Sequence, residues 1–198
     1  LIAARRLDAD PAAACDADWF RARLAQALSI RDRMFDAPHY RLVHAEADGL
    51  PGLIVDRYGD VLAVQANTAG MDAATPLIVE ALGALVAPRG IVARNDSGVR
   101  GLEGLPEETR LLAGDAAGAA VEENGLRFPV DLLGGQKTGW FFDQREHRAR
   151  VARLAKGATV LDAFCHTGGF GIGCAAAGAT RVTLLDRSEH ALTTATEG

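Results

Sequence analysis

ATVLDAFCHTGGFGIGCAAAGATRVTLLD, residues 158 to 186, runs in the order strand, glycine-bearing loop, small-residue helix, strand and terminal acid. A short apolar strand, Thr159 to Leu161, ends at Asp162; the loop Phe164 to Gly169 follows, then a helix carrying Ala175, Ala176 and Ala177 that Gly178 stops. The next strand, Val182 to Leu185, ends in Asp186, 24 residues after Asp162. That is close to the roughly 20 at which a second-strand acid reaches ribose hydroxyls. This order builds a pocket for an adenosine-containing cofactor. The loop has His166, Thr167, Gly168 and Gly169 where a dinucleotide fold places spaced glycines against a pyrophosphate, which argues against NAD. S-adenosylmethionine has no phosphate, so its loop need only let the methionine end approach the backbone while an acid or hydroxyl, here Asp162 and Thr167, orients the amino group. The competing reading is an ordinary βαβ unit of unspecified purpose.

Working outward, GGQKTGWFFDQREHR, Gly134 to Arg148, is followed by LDAFCHTGGF and LLDRSEHAL. The order and spacing of these blocks resemble the large-subunit ribosomal RNA methyltransferases that methylate cytosine at C5. Upstream, GLPGLIVDRYGD, RNDS and VEENGLRFPVDLLGGQKTG are similar to that family's middle domain, so the resemblance covers nearly the whole chain. It implies an α+β middle domain, residues 16–135, followed by the first half of a Rossmann-like class I methyltransferase domain (α/β), residues 136–198, with residues 1–15 as the tail of an amino-terminal RNA-binding domain and a linker. It further implies S-adenosylmethionine as cofactor and large-subunit ribosomal RNA as partner, and it allows a homodimer. Asp162, Ala163 and the loop Phe164, Cys165, His166, Thr167, Gly168 and Gly169 are expected to hold the methionine end. Asp186 is expected at the ribose and Arg187 with Ser188 at the adenine edge, with Lys137, Thr138 and Arg145 as further candidates. The family's nucleophilic cysteine is expected beyond Gly198, so this stretch alone is expected to be inactive. Two other readings stay open: a guanine-N2 ribosomal RNA methyltransferase with similar blocks, and a non-catalytic RNA-binding or assembly module that retains the cofactor fold.

Cys165 invites a different assignment, because methylation at C5 requires a thiolate to add to C6 of the base. Its position argues against that role: a nucleophile must lie beyond the methyl group, under the target base, not within the loop that meets the methionine end. Cys165 is therefore read as lining the pocket and Cys174 as a small helix packer. His166 is read as a loop residue without a general-base role. Cys15, Cys165 and Cys174 are odd in number and lack metal-ligand spacing, so neither a disulfide framework nor a metal site is expected.

A chain of 198 residues, 48% hydrophobic, can hold one complete domain and part of another. It shows no apolar run of membrane-spanning length and no charged-then-apolar leader, so the expectation is a cytoplasmic protein with no membrane partner. The net charge of -5 is awkward for an RNA-binding protein. Two local clusters soften it. Lys137, Arg145, Arg148, Arg150, Arg153 and Lys156 face only Asp143 and Glu146 in their segment; Arg21, Arg23, Arg31 and Arg33 form the other cluster. In both, solvated or internally paired arginines are the bland alternative.

In the middle region the pattern predicts a helix capped by Asp16 or Asp18 and running to about Asp36, with Phe20, Leu24, Ala27, Leu28 and Phe35 on one stripe. Three strands near 40–46, 52–57 and 61–66, turning at Asp48-Gly49 and Gly59-Asp60, form an antiparallel meander. A helix Thr75 to Val86 with an early proline and a strand Gly90 to Arg94 follow. Asn124-Gly125 is the best two-residue hairpin turn of the chain. Asp143 and Glu146 are expected as a capping pair for a helix to Lys156, with Val151, Leu154 and Ala155 facing inward.

Overall fold

A computed structural model describes residues 4–134 and 139–197, and the chain divides into two compact units. The first takes the described residues up to Ala117 and the segment from Leu132; the second takes Gly118–Asp131 and the residues from Gly139 on. The expected boundary at 135/136 therefore shifts: the Asn124-Gly125 hairpin groups with the second unit, to which Glu123 ties it (below).

The first unit opens with α1 (Ala17–Met34), where the Asp16 carboxylate accepts the Trp19 N–H at 3.0 Å and so satisfies a first-turn donor. Its inward stripe is Phe20, Leu24 and Ala27, as its spacing requires. The meander is β1 (His39–His44), β2 (Leu53–Tyr58) and β3 (Val61–Ala66), antiparallel throughout. Gly59 takes the left-handed conformation that its tight turn needs, at φ +67°. α2 (Ala69–Ala73) and α3 (Thr75–Val86) then carry the chain across to β4 (Gly90–Asn95), which pairs parallel with β3. β5 (Glu108–Gly114) closes the five-stranded sheet antiparallel to β4. The pattern missed β5, whose ETRLLAG has no clean alternation and half-buried or exposed residues throughout. The core joins Leu24 and Ala27 of α1 and Ile78 and Leu82 of α3 to Leu53, Val55, Leu62 and Val64 of the sheet.

The RNDS block is structural here. Arg94, 1% exposed, donates to the Leu132 carbonyl at 3.0 Å and to Asp96 at 2.8 Å, and Asn95 accepts the Ala66 N–H at 2.9 Å. The Arg21–Arg33 cluster takes the bland alternative in large part. Arg21 pairs with Asp18, Arg23 with Asp8 and Arg31 with Asp48.

The second unit begins with the hairpin β6 (Ala120–Glu123) and β7 (Leu126–Pro129), whose turn residues Asn124 and Gly125 both have positive φ, the type I′ signature. α4 (Arg145–Ala152), β8 (Thr159–Ala163), α5 (Gly169–Ala176), β9 (Arg181–Leu185) and α6 (Glu189–Glu197) follow. β8 and β9 are parallel in register Thr159↔Arg181 to Ala163↔Leu185, the strand–helix–strand unit that residues 158–186 predict. The α4 reading needs three corrections. The Asp143/Glu146 capping pair does not form, because a short 3-10 turn at Phe142–Gln144 leads into the helix and Asp143 accepts from Gln144 instead. The helix stops at Ala152, four residues before Lys156. Leu154 is 80% exposed, and the helix residue that is buried is Arg148.

Candidate functional site

The site is assembled at the carboxyl ends of β8 and β9. Leu185, the last residue of β9, offers its carbonyl to two loop N–H groups, Phe164 at 2.7 Å and Cys165 at 3.2 Å. The next residue, Asp186, accepts the His166 N–H on Oδ2 at 2.8 Å and the Ser188 N–H on Oδ1 at 3.0 Å. Four backbone donors of the loop and of the α6 approach thus converge on two adjacent residues. The backbone pays for this in conformation: Phe164 and His166 sit at φ +61° and +52°, a region side chains rarely adopt. Non-glycine strain of this kind clusters at ligand-holding loops.

The two acids have opposite electrostatics. The Ser188 and His166 N–H groups hold the Asp186 carboxyl below the usual carboxylate range, so it is ionised at neutral pH. Burial pushes Asp162 up, the Gly171 N–H donated to its Oδ2 at 2.8 Å opposes that, and the charge of Asp186 adds to the rise. Asp162 therefore does two things: it fastens the first turn of α5 to β8, and it places a carboxylate beside the loop. Burial, followed by the charges of Asp162 and Asp186, pushes the Cys165 thiol up, and Cys174 is raised the same way by burial and Asp162. Both are held as thiols, which is unsuited to a nucleophile.

The glycines of the loop answer to packing. Gly168 has φ +76°, and a Cβ there would stand 3.1 Å from Ile172 and Leu184. Gly169, which the pattern assigns to the loop, is the first residue of α5; a Cβ on it would meet Arg148 Cδ and the Trp140 ring at 3.0 Å. Gly171, absent from the expected site residues, matters more: a Cβ would lie 2.3 Å from Leu184 Cδ2, 3.1 Å from Val182 Cγ1 and 3.2 Å from Asp162 Oδ2, so any side chain here would have to displace Leu184 from between α5 and β9. A glycine recurring at the second and fourth positions after Thr167 was the available signal.

Behind the loop lies a buried ion-pair cluster. Arg148 donates to Glu123 at 2.6 and 3.0 Å and to the Phe141 carbonyl at 2.7 Å, with its guanidinium 4.4 Å from the Trp140 ring centroid. Trp140 Nε1 donates to the same carboxylate at 3.0 Å, and Arg145 Nε stands 3.5 Å from it. Phe141 meets the His166 ring edge-on at 6.0 Å between centroids. Trp140 and Phe141 of the WFFDQR block therefore pack against the loop and the start of α5, and Arg145 anchors the hairpin, its carbonyl also accepting from Asn124 at 3.3 Å. The structure brings Asp162, Cys165, His166, Gly168, Gly169, Asp186 and Ser188 together through these contacts, and the Thr167 hydroxyl lies 3.4 Å from its neighbour His166 Nδ1. Phe164 is 92% exposed, Ala163 and Arg187 are also exposed, and Lys137 and Thr138 lie outside the described residues. Among the described residues no His/Cys/Asp/Glu group is arranged to hold a metal ion, and no helix is long and apolar enough to cross a membrane.

A family model for S-adenosylmethionine-dependent methyltransferases matches residues 91–197. The chain belongs to that family. The cofactor of that family is S-adenosylmethionine. A protein of Pseudoalteromonas atlantica named ribosomal RNA large subunit methyltransferase I is 44% identical over 91% of this chain and 47% of its own length. One of the same name from Aliivibrio fischeri is 40% identical over 98% of this chain and 50% of its own. The chain spans about half the length of the curated relatives it matches. Among solved structures, a candidate S-adenosylmethionine-dependent methyltransferase from Streptococcus mutans superposes with a TM-score of 0.79 at 23% identity, over 93% of this chain and 49% of its own. That likeness establishes the methyltransferase fold.

Proposed function

We propose that the protein methylates large-subunit ribosomal RNA, at C5 of a cytosine. The observation that carries the reading is the 44% identity to a relative named for that RNA, extending over 91% of this chain and so through both units. The finer assignment to cytosine C5 draws on the sequence blocks described above. Asp162 and the loop Phe164–Gly169 are assigned to the methionine end, Asp186 to the ribose, and Arg187 with Ser188 to the adenine edge.

These residues fit the cofactor. An ionised Asp186 already fixed by two N–H donors keeps acceptor capacity on both oxygens for a diol, since each carboxylate oxygen can accept more than one hydrogen bond. Asp162, with one oxygen on Gly171, has its other for an ammonium group. When bound, S-adenosylmethionine supplies an electrophilic methyl group on a cationic sulfur. The two carboxylates complement that positive charge, and the loop backbone orients the molecule from Leu185 and Asp186. Cys165 lines the pocket as a thiol; the thiolate that C5 chemistry requires is none of Cys15, Cys165 and Cys174.

The test is tritiated-methyl incorporation into unmodified large-subunit RNA by the full product of the gene that encodes this chain, with the product nucleoside identified by mass spectrometry. The expected outcome is 5-methylcytosine, retained when Cys165 is changed to Ser. N2-methylguanine would overturn the base assignment, and no incorporation would overturn the enzymatic reading in favour of a binding module.

A further inference from the structure

Of the arginines in the second unit, Arg145 and Arg148 are engaged by Glu123. Arg150, Arg153, Lys156 and Arg181 are all exposed, and none has an ion pair or side-chain hydrogen bond among the described residues. They come from two separate segments that the fold joins. Arg150 is on α4, and Arg153 and Lys156 follow it on the way to β8. Arg181 opens β9 opposite Thr159, the first residue of β8. The Gly157 N–H donates to the Gly178 carbonyl at 2.8 Å, and Lys156 Cγ lies 3.8 Å from where a Cβ on Gly178 would stand, so the two segments meet. From residue 146 to 185 the sequence carries five Lys or Arg and two carboxylates, the exposed Glu146 on α4 and Asp162, which sits at the other end of β8. In a chain of net charge -5, this is a local excess of positive charge. In the first unit, by comparison, Arg21, Arg23, Arg31 and Arg89 each have a carboxylate partner, and Arg33 and Arg57 donate to carbonyl oxygens.

We propose that Arg150, Arg153, Lys156 and Arg181 form a phosphate-backbone contact for the RNA substrate, at the amino ends of β8 and β9. The inference rests on the ribosomal RNA reading and adds a surface to it. A strand of 5 residues is about 17 Å long, so the contact stands that far from the cofactor loop along the strands. RNA gripped here leaves the loop open, and the grip positions the substrate without reading its bases. The exposed Leu154 and Val151 beside the cations give sugar and base edges an apolar surface.

The experiment compares the full gene product with its quadruple variant Arg150→Gln, Arg153→Gln, Lys156→Gln, Arg181→Gln, measuring filter binding to a large-subunit RNA transcript across a salt series. S-adenosylhomocysteine affinity is measured beside it, as a readout the patch should not move. Each phosphate contact contributes close to one unit to the slope of log K against log salt, so the variant's slope should be shallower by about 3 to 4. Its affinity near 0.1 M salt should fall by about tenfold or more, with cofactor affinity unchanged. A variant that keeps the parent's slope and affinity overturns the patch while leaving the functional reading intact. A parent that binds no RNA overturns both. Loss of cofactor affinity in the variant would show that the cations support the fold and would overturn the assignment as well.

Discussion

Asp186 holds the loop together and, on the reading above, also holds the ribose. Its removal weakens cofactor binding under either role, so truncating it cannot separate them. A ligand with one ribose hydroxyl deleted can. If the carboxylate accepts from the diol, deoxyribose analogues of S-adenosylhomocysteine should bind the parent about 1 to 3 kcal/mol less well, the range for hydrogen bonds to a charged group. That discrimination should shrink in Asp186→Asn, where the acceptor is neutral and an amide replaces one oxygen. Equal discrimination by calorimetry in both proteins would leave Asp186 a loop anchor only. Asp162 gives a second check at this scale. Burial raises its carboxyl above the usual range while Asp186 is held below it, so Asp162 is the first of the pair to protonate on acidification. If Asp162 holds the ammonium group, affinity for the cationic cofactor should be full above the raised value and should be lost as pH falls through it. In Asp162→Asn the affinity should be lower at neutral pH and its upper acid limb flat; an unaltered pH profile would remove Asp162 from the site.

At the scale of elements, the close approach of α5 to β9 decides how the loop is presented. A side chain at Gly171 would have to displace Leu184, whose Cδ2 lies 2.3 Å from the position of its Cβ, with Val182 Cγ1 at 3.1 Å and Asp162 Oδ2 at 3.2 Å. Gly171→Val should cost about 1 to 3 kcal/mol in a denaturant titration, as overpacking does, and should weaken cofactor binding because Gly171 N–H is the Asp162 donor. A variant of unchanged stability would mean that α5 is free to lift from the sheet. The strand–loop–helix–strand order was legible because glycine, alanine and apolar positions are punctuated locally: Gly178 past the helix, Asp162 and Asp186 at the strand ends. The α1 cap and the type I′ turn at Asn124-Gly125 were legible for the same reason. What escaped the sequence was tertiary in origin. β5 has no periodicity of its own and is a strand because β4 offers it an edge. The inward face of α4 was misread because periodicity counts Val151 and Leu154 as core residues, whereas the fold buries Arg148 against Glu123 and Trp140 and leaves Leu154 in the open. No helical pattern predicts a buried guanidinium whose carboxylate lies 25 residues earlier.

For the molecule as a whole, that carboxylate decides which unit the hairpin joins. Glu123 is 4% exposed and is contacted by Arg148, Arg145 and Trp140, all within the second unit. Changing it to Ala leaves the Arg148 guanidinium buried without compensation, a defect that costs about 3 to 5 kcal/mol. The five-stranded sheet lies wholly in the first unit, with a core built from α1, α3 and its strands, and the second unit has two two-stranded sheets of its own, β6-β7 and β8-β9. The loss should therefore be local. In native-state hydrogen exchange, Glu123→Ala should lower the protection of amides in β6, β7, α4 and β8 while those of β2, β3 and β4 exchange at the parent's rate, as separate cooperative units do. Glu123→Gln, which keeps an acceptor for Arg148 and Trp140, should lie between the two. The cofactor loop should follow the second unit, because Arg148 holds the Phe141 carbonyl and the Phe141 ring rests against His166. A fall in protection shared equally by β2, β3 and β4 would show that the two units unfold as one, and the hairpin would then belong to a single cooperative structure.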